Sequence, residues 1–276
     1  MAAWVDNITQ KFKKASTIEQ LIYINIIVFA LTYLFKSFGS LMGSGDNFFF
    51  RWFALPAELD VFMARPWTII SYGFLHGDFL HILFNLLLLF YIGNLFLDFF
   101  TKKQFYIYYG LGIVVGGLFY LVSYSFFPTL LGAQGILVGA SAGVSAILIG
   151  LATKIPNYAI HLRFIGPVKL WYIALAFVFI DIVQLPISNT GGHLAHLGGA
   201  CIGFILSSVR LSPPKKKKTT SPLKTVYKNK QKTSTSTQQQ RVDAILDKIS
   251  KSGYEALRQD EKDFLFSIRK NPSDSK

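Results

Sequence analysis

Apolar positions in this chain gather into long unbroken runs, at 18–38, 79–100, 104–125, 139–153, 168–187 and 191–209. A helix needs about 17–25 apolar residues to cross the hydrocarbon of a bilayer, so these runs predict about six transmembrane helices. The expected fold class is therefore all-α, a polytopic membrane bundle. The fourth run holds about 15 residues, or about 22 Å of helix against about 30 Å of hydrocarbon, and cannot start at the outer surface. The preceding stretch, PTLLGAQGILV, is accordingly predicted to dip into the membrane, where such backbone is tolerated only inside protein or trapped water. The first run is too long for a signal peptide and lacks a small-residue cleavage site, so it is expected to remain as an anchor. Between the first two runs, residues 39–72 carry Phe48, Phe49, Phe50, Trp52, Phe53, Phe62 and Trp67, which predicts an interfacial, partly embedded hairpin at headgroup level.

After residue 211 the pattern changes. Residues 212–240 combine proline, like charge and polar low complexity and read as a basic, disordered linker. In 241–276, helical periodicity returns on both sides of Gly253, with Val242, Ile245, Leu246 and Ile249 on one face and Leu257, Phe264, Leu265 and Ile268 on another. A small helical hairpin is expected there, without catalytic groups, as a docking or stabilising accessory. The organisation is thus a short N-terminal segment at 1–17, a membrane domain at 18–211, the linker and the hairpin.

Composition agrees with the solvent that the pattern implies. Of 276 residues 51% are hydrophobic and 16% charged, at a mean hydropathy of +0.39, whereas soluble domains run near a quarter charged. A formal charge of +13 suggests nucleic acid at first sight. Much of the excess, however, flanks apolar runs, as at Lys11, Lys13 and Lys14 or Lys215 to Lys218, and is read as orientation signal and membrane-lipid contact. Lys102, Lys103, Lys154, Arg163, Lys169 and Arg210 fall on the same side, which places both termini in the cytoplasm, with Arg51 and Arg65 as exceptions. Cys201 is the single cysteine, so neither a disulfide framework nor zinc-ligand spacing exists.

Depth brings two reactive groups together. At 1.5 Å per residue, Ser141 lies about 20 Å outward from Lys154, and His196 about 21 Å outward from Arg210. Small residues recur every fourth position on both runs, Ala142, Ala146 and Gly150 on one and Ala195, Gly199 and Gly203 on the other, which allows close backbone approach. A serine hydroxyl becomes a nucleophile when an imidazole takes its proton, and the resulting oxyanion needs aimed donors. His81 and Asn85, four apart on one face of the second run, are candidates for that task. A metal bound by His76 and His81 is the rival, unsupported by an HExxH motif or a cluster of carboxylates nearby. Ser145 is an alternative nucleophile, one turn deeper. Asp181, near the level of Ser141, could orient His196 as a third member of a triad, with helix packing or a water contact the favoured role.

The residues HGDFLHILFN, GASA and AHLGGACIG, in that order across a six-span pattern covering about 18–211, resemble the rhomboid family of intramembrane serine proteases. The resemblance implies a six-helix rhomboid-like bundle with Ser141 as nucleophile and His196 as general base in a dyad. His81 and Asn85 join the Ser141 N–H as the oxyanion hole, and no cofactor or metal is implied. It further implies transmembrane proteins as substrates, a bacterial cytoplasmic membrane as location, and a C-terminal hairpin similar to an appendix on some bacterial rhomboids; it is silent on oligomeric state. Ala142 departs from the usual glycine after the serine. Thr68 follows Trp67 where the family often has arginine. Ser145 stands where an aromatic often packs on the histidine, leaving that role to groups such as His193 or Asn189. Asp98 falls one position past the expected acid, at Leu97. Two other classes fit the sequence less well: an inactive rhomboid-like protein that binds membrane clients, against which the intact serine, histidine and oxyanion set argues, and a small-solute transporter, which would call for repeat symmetry or paired broken helices.

Overall fold

A computed structural model describes residues 2–43, 47–126, 135–209 and 235–270. The chain divides into two compact units, Met1–Pro213 and Pro214–Lys276. In the first unit a helix, α1 (Ala2–Lys14), precedes α2 (Thr17–Leu41). Ser16 and Glu19 form a capping box at the start of α2, each side chain accepting from the other's backbone N–H, so that two donors lacking helical partners are satisfied.

Helices occupy all the predicted apolar runs: α2, α6 (Phe79–Phe99), α7 (Lys102–Phe126), α8 (Ser141–Lys154), α9 (Leu170–Gln184) and α10 (Thr190–Ser208). Among the described residues α2, α6 and α7 are long and apolar enough to cross a membrane on their own, while α8 and α9 are shorter apolar helices. Large apolar side chains such as Leu34, Phe84, Tyr91, Leu175 and Phe179 are exposed on α2, α6 and α9. Such a surface would be a liability in water and is what a lipid-facing wall requires.

At the centre stands α8, buried at every position from Ala142 to Ala152. A helix that is apolar all round belongs in such a core. Small residues explain how its neighbours reach it. A Cβ at Gly199 would lie 2.1 Å from the carbonyl oxygen of Ala142, and one at Gly203 would lie 2.3 Å from that of Ala146, so α10 rests backbone to backbone on α8. On the other side, a Cβ at Gly116 of α7 would fall 2.6 Å from the Ala142 methyl. Room for the extra methyl of Ala142 is therefore provided by a glycine on the facing helix. Further along, Ser207 donates to the Gly150 carbonyl oxygen at 2.7 Å and pairs with the Tyr108 hydroxyl at 2.8 Å.

The segment between α2 and α6 is more elaborate than the predicted hairpin. It comprises α3 (Phe48–Phe53), strand β1 (Leu55–Pro56), α4 (Leu59–Ala64), α5 (Thr68–Ser71) and a 3-10 turn at Tyr72–Phe74. Strand β1 pairs antiparallel with β2 (Ile136–Leu137), Leu55 opposite Leu137 and Pro56 opposite Ile136. This long-range pairing satisfies backbone groups that a free hairpin would have matched within itself. Side chains knit the rest: Trp67 Nε1 donates to the Trp52 carbonyl oxygen at 2.9 Å, Ser71 to that of Phe53 at 2.8 Å, and Thr68 to that of Arg65 at 2.7 Å. The Arg65 guanidinium lies 4.9 Å over the Trp52 ring and donates to the Arg51 carbonyl oxygen, so an arginine anchors this loop although none follows Trp67. Of the predicted dipping stretch only residues from 135 onward are described; 127–134 lie outside. Strands β3 (Ala159–Leu162) and β4 (Gly166–Lys169) form a hairpin between α8 and α9.

In the second unit α11 (Thr235–Ser252) and α12 (Gln259–Lys270) flank a 3-10 turn at Tyr254–Ala256. Gly253 breaks the helix at φ +78°, a conformation that disfavours other residues. Ile245 and Leu257 are buried, and Glu261 accepts from Lys248 Nζ at 2.8 Å and from the Arg258 N–H at 2.9 Å. Helix α11 begins inside the stretch expected to be linker; residues 210–234, with Lys215 to Lys218, lie outside the described residues.

Candidate active site

Ser141 is the first residue of α8, and the chain reaches it through Gly139 at φ +127°. A side chain is excluded at Gly139 twice over: the dihedral is one that L residues rarely adopt, and a Cβ would lie 2.7 Å from His81 Nε2. The Gly139 N–H donates to the Tyr72 carbonyl oxygen at 3.0 Å, and the Tyr72 hydroxyl donates to that of Ile113 on α7 at 2.7 Å. The turn before the serine is thus fixed from two elements. Position at the helix start also leaves the Ser141 N–H without an intrahelical acceptor, at the positive end of the helix dipole.

His196 lies along α10, one turn before the Gly199 that lets the two helices touch. Its Nε2 is 2.6 Å from Ser141 Oγ. The two groups predicted to share a depth are in hydrogen-bond contact. His196 Nδ1 is 2.8 Å from Asp181 Oδ1, and His193 Nδ1 is 2.7 Å from the same oxygen. Phe177, four residues before Asp181 on α9, packs its ring 5.8 Å from that of His196 at 33°. Helix α9 therefore supplies the aromatic contact that Ser145 does not. Ser145 is fully buried and donates to the Ser141 carbonyl oxygen at 2.7 Å, a bond within its own helix that directs it away from His196.

His81 reaches the serine turn across Gly139. One turn on, Asn85 is buried and uses one amide hydrogen on the His81 carbonyl oxygen at 2.9 Å, leaving a second donor on the same nitrogen. The start of α6 is held by Asp78, whose Oδ1 accepts from the His81 N–H at 2.8 Å. His76 is fully buried edge-on to His81, with ring centroids 5.1 Å apart. Asn189, a candidate for orienting the histidine, caps α10 at φ 46° and lies against Gly192.

Phe177 escaped the sequence reading, and Asp181 was assigned there to packing or water. A signal was available in their spacing: an aromatic and a lone carboxylate four apart share a helix face, and His193 and His196, three apart, share another. Ligand atoms of Asp181, His193 and His196 lie within 4.8 Å of one another, as a metal site would require. The Nδ1 to Oδ1 separations of 2.7 and 2.8 Å are hydrogen-bond lengths, shorter than the roughly 3.3 Å edge that metal bonds of about 2.0 Å would set in a tetrahedral site.

The model of the Rhomboid domain family matches residues 64–213, more than half of the chain and every site residue named above. The chain belongs to the rhomboid family. Curated relatives include RHOMBOID-like protein 4 of Arabidopsis thaliana, 31% identical over 155 residues that cover 54% of this chain and 35% of that protein. RHOMBOID-like protein 12, mitochondrial, of the same plant is 29% identical over 160 residues, 54% of this chain and 48% of the relative. RHOMBOID-like protein 1 is 28% identical over 167 residues, 58% and 39%. The matched region spans less than half the length of these relatives. Family and apolar helices together make this rhomboid an integral membrane protein.

Proposed function

We propose that this rhomboid is an intramembrane serine endopeptidase, with Ser141 as nucleophile and His196 as general base. The observation that carries the reading is the 2.6 Å contact between His196 Nε2 and Ser141 Oγ at the half-buried start of a buried helix. As Ser141 Oγ attacks a peptide carbonyl, its proton passes to His196 Nε2, and negative charge gathers on the former carbonyl oxygen. The Ser141 N–H, His81 and the second Asn85 amide hydrogen are the donors assigned to that oxyanion. Collapse of the tetrahedral intermediate hands the proton to the leaving amine, and water then cleaves the acyl-enzyme with His196 acting again as base.

Substrates on this reading are transmembrane segments of other proteins, cut near their outer ends. A helical backbone hides its carbonyls, so segments with glycine or other poor helix formers, which unwind locally at low cost, are preferred. The same reading takes six spans, both termini in the cytoplasm and residence in a bacterial cytoplasmic membrane, with basic flanks against anionic lipid.

The test is cleavage of a model transmembrane substrate by purified protein. Ser141→Ala and His196→Ala each abolish product, and Ser145→Ala retains most of it. Equal loss in all three would remove Ser141 as sole nucleophile. Capture of the substrate by wild-type protein without cleavage would favour an inactive, client-binding rhomboid.

A further inference from the structure

The Asp181 carboxylate sits on an apolar helix at 3% exposure, and its Oδ2 has no hydrogen-bond partner. A buried acid of this kind is costly, and its retention inside a membrane protein calls for a specific task. Its other oxygen, Oδ1, is approached by two imidazoles: His196 Nδ1 at 2.8 Å and His193 Nδ1 at 2.7 Å. A carboxylate oxygen accepts hydrogen bonds, and an Nδ1–H on each ring is the arrangement that makes both of these contacts hydrogen bonds. With its proton on Nδ1, a neutral His196 presents a lone pair at Nε2, the atom 2.6 Å from Ser141 Oγ.

We propose that Asp181 is a positioning residue that completes a Ser141–His196–Asp181 relay, extending beyond the dyad on which the proposed protease activity rests. Asp181 selects the Nδ1–H tautomer of His196, Phe177 from the same face of α9 fixes the plane of its ring, and His193 holds the carboxylate in place from one turn earlier on α10. During attack the serine proton moves to Nε2 and the Nδ1 proton stays on the ring. The Asp181 carboxyl, in contact with Nδ1, faces the imidazolium so formed. Helix α9 thereby assumes the histidine-orienting task that α8, with Ser145 in the aromatic's place, does not perform.

A purely structural role would have Asp181 tie α9 to α10 and nothing more. The split between kcat and KM separates the two, and two further readouts test the relay itself. In cleavage of one transmembrane substrate, Asp181→Asn is expected to lower kcat between tenfold and ten-thousandfold while KM stays within about threefold, with thermal unfolding checked alongside. Unchanged kcat in the folded variant would overturn the inference. Nitrogen chemical shifts of histidine-labelled wild-type protein at neutral pH are expected to show His196 as the Nδ1–H tautomer. An Nε2–H tautomer would overturn the inference even if no Asp181 variant folds. Activity is expected to persist in a chelator; loss restored by added Zn²⁺ would make the three side chains metal ligands and refute the relay. Ser141→Ala runs in the same assay. If it cleaves as wild type does, the protease reading falls and the relay with it; if it is inert while Asp181→Asn is fully active, the relay alone falls.

Discussion

The backbone N–H of Gly139 donates to the carbonyl oxygen of Tyr72 at 3.0 Å, so the turn that delivers Ser141 hangs from the end of the segment between α2 and α6. The pairing of Leu55–Pro56 with Ile136–Leu137 ties the same two segments a second time. Loop and serine turn are one construction, although about 65 residues of chain, mostly the helices α6 and α7, separate them.

Gly139→Ala tests that turn. At φ +127° an alanine is strained by about 1–3 kcal/mol, and its methyl would meet His81 Nε2 at 2.7 Å. The expected outcome is a fall in substrate cleavage of at least tenfold, together with a lowered thermal unfolding temperature. Wild-type activity in this variant would show that the turn tolerates a side chain.

Asn85→Ala removes one assigned oxyanion donor and should slow turnover by roughly tenfold to a thousandfold with KM little altered. Steady-state kinetics on one substrate is the check. An unchanged kcat would take Asn85 out of that role and leave it as a helix residue bonded to the His81 carbonyl oxygen.

Gly199→Ala addresses the contact between α8 and α10. The added methyl would stand 2.1 Å from the Ala142 carbonyl oxygen, and backbone on both sides has nowhere to yield. Overpacking of this kind costs about 1–3 kcal/mol and pushes the helix bearing His196 away from the one bearing Ser141. A lower unfolding temperature and slower fluorophosphonate labelling of Ser141 are expected together.

The C-terminal helical pair carries a pH dependence of its own. Backbone and side-chain hydrogen bonds, that from Lys248 foremost, hold the Glu261 carboxyl below the usual carboxylate range. A carboxyl depressed in the folded state contributes stability that is present above its unfolded pKa and lost as pH falls through its folded one. Amide protection in 241–265 of the full-length protein, measured against the intrinsic exchange rate at each pH, should therefore fall on acidification below about pH 4.3, and Glu261→Gln should flatten that fall.

Truncation near Thr219 removes the C-terminal helical pair while keeping Lys215 to Lys218. The initial cleavage rate in detergent should stay within tenfold of the full chain. A larger loss with the membrane domain still folded would mean that the hairpin regulates catalysis by more than about 1.4 kcal/mol.

Sequence by itself determined the helices and the pairing of reactive groups. Runs of apolar residues leave a backbone in lipid no option but to bond within itself, and small residues every fourth position mark where helices can touch, so Ser141 and His196 were legible from depth and spacing alone. Only tertiary structure decided what holds the histidine. Asp181 and Phe177 come from a helix whose rotation about its axis no run of apolar residues specifies, because in lipid an apolar surface is as content outward as inward. The strand pairing that fixes the serine turn was hidden for a related reason. Two residues on each side carry no period to read, and their hydrogen bonds join segments brought together only when α6 and α7 have packed.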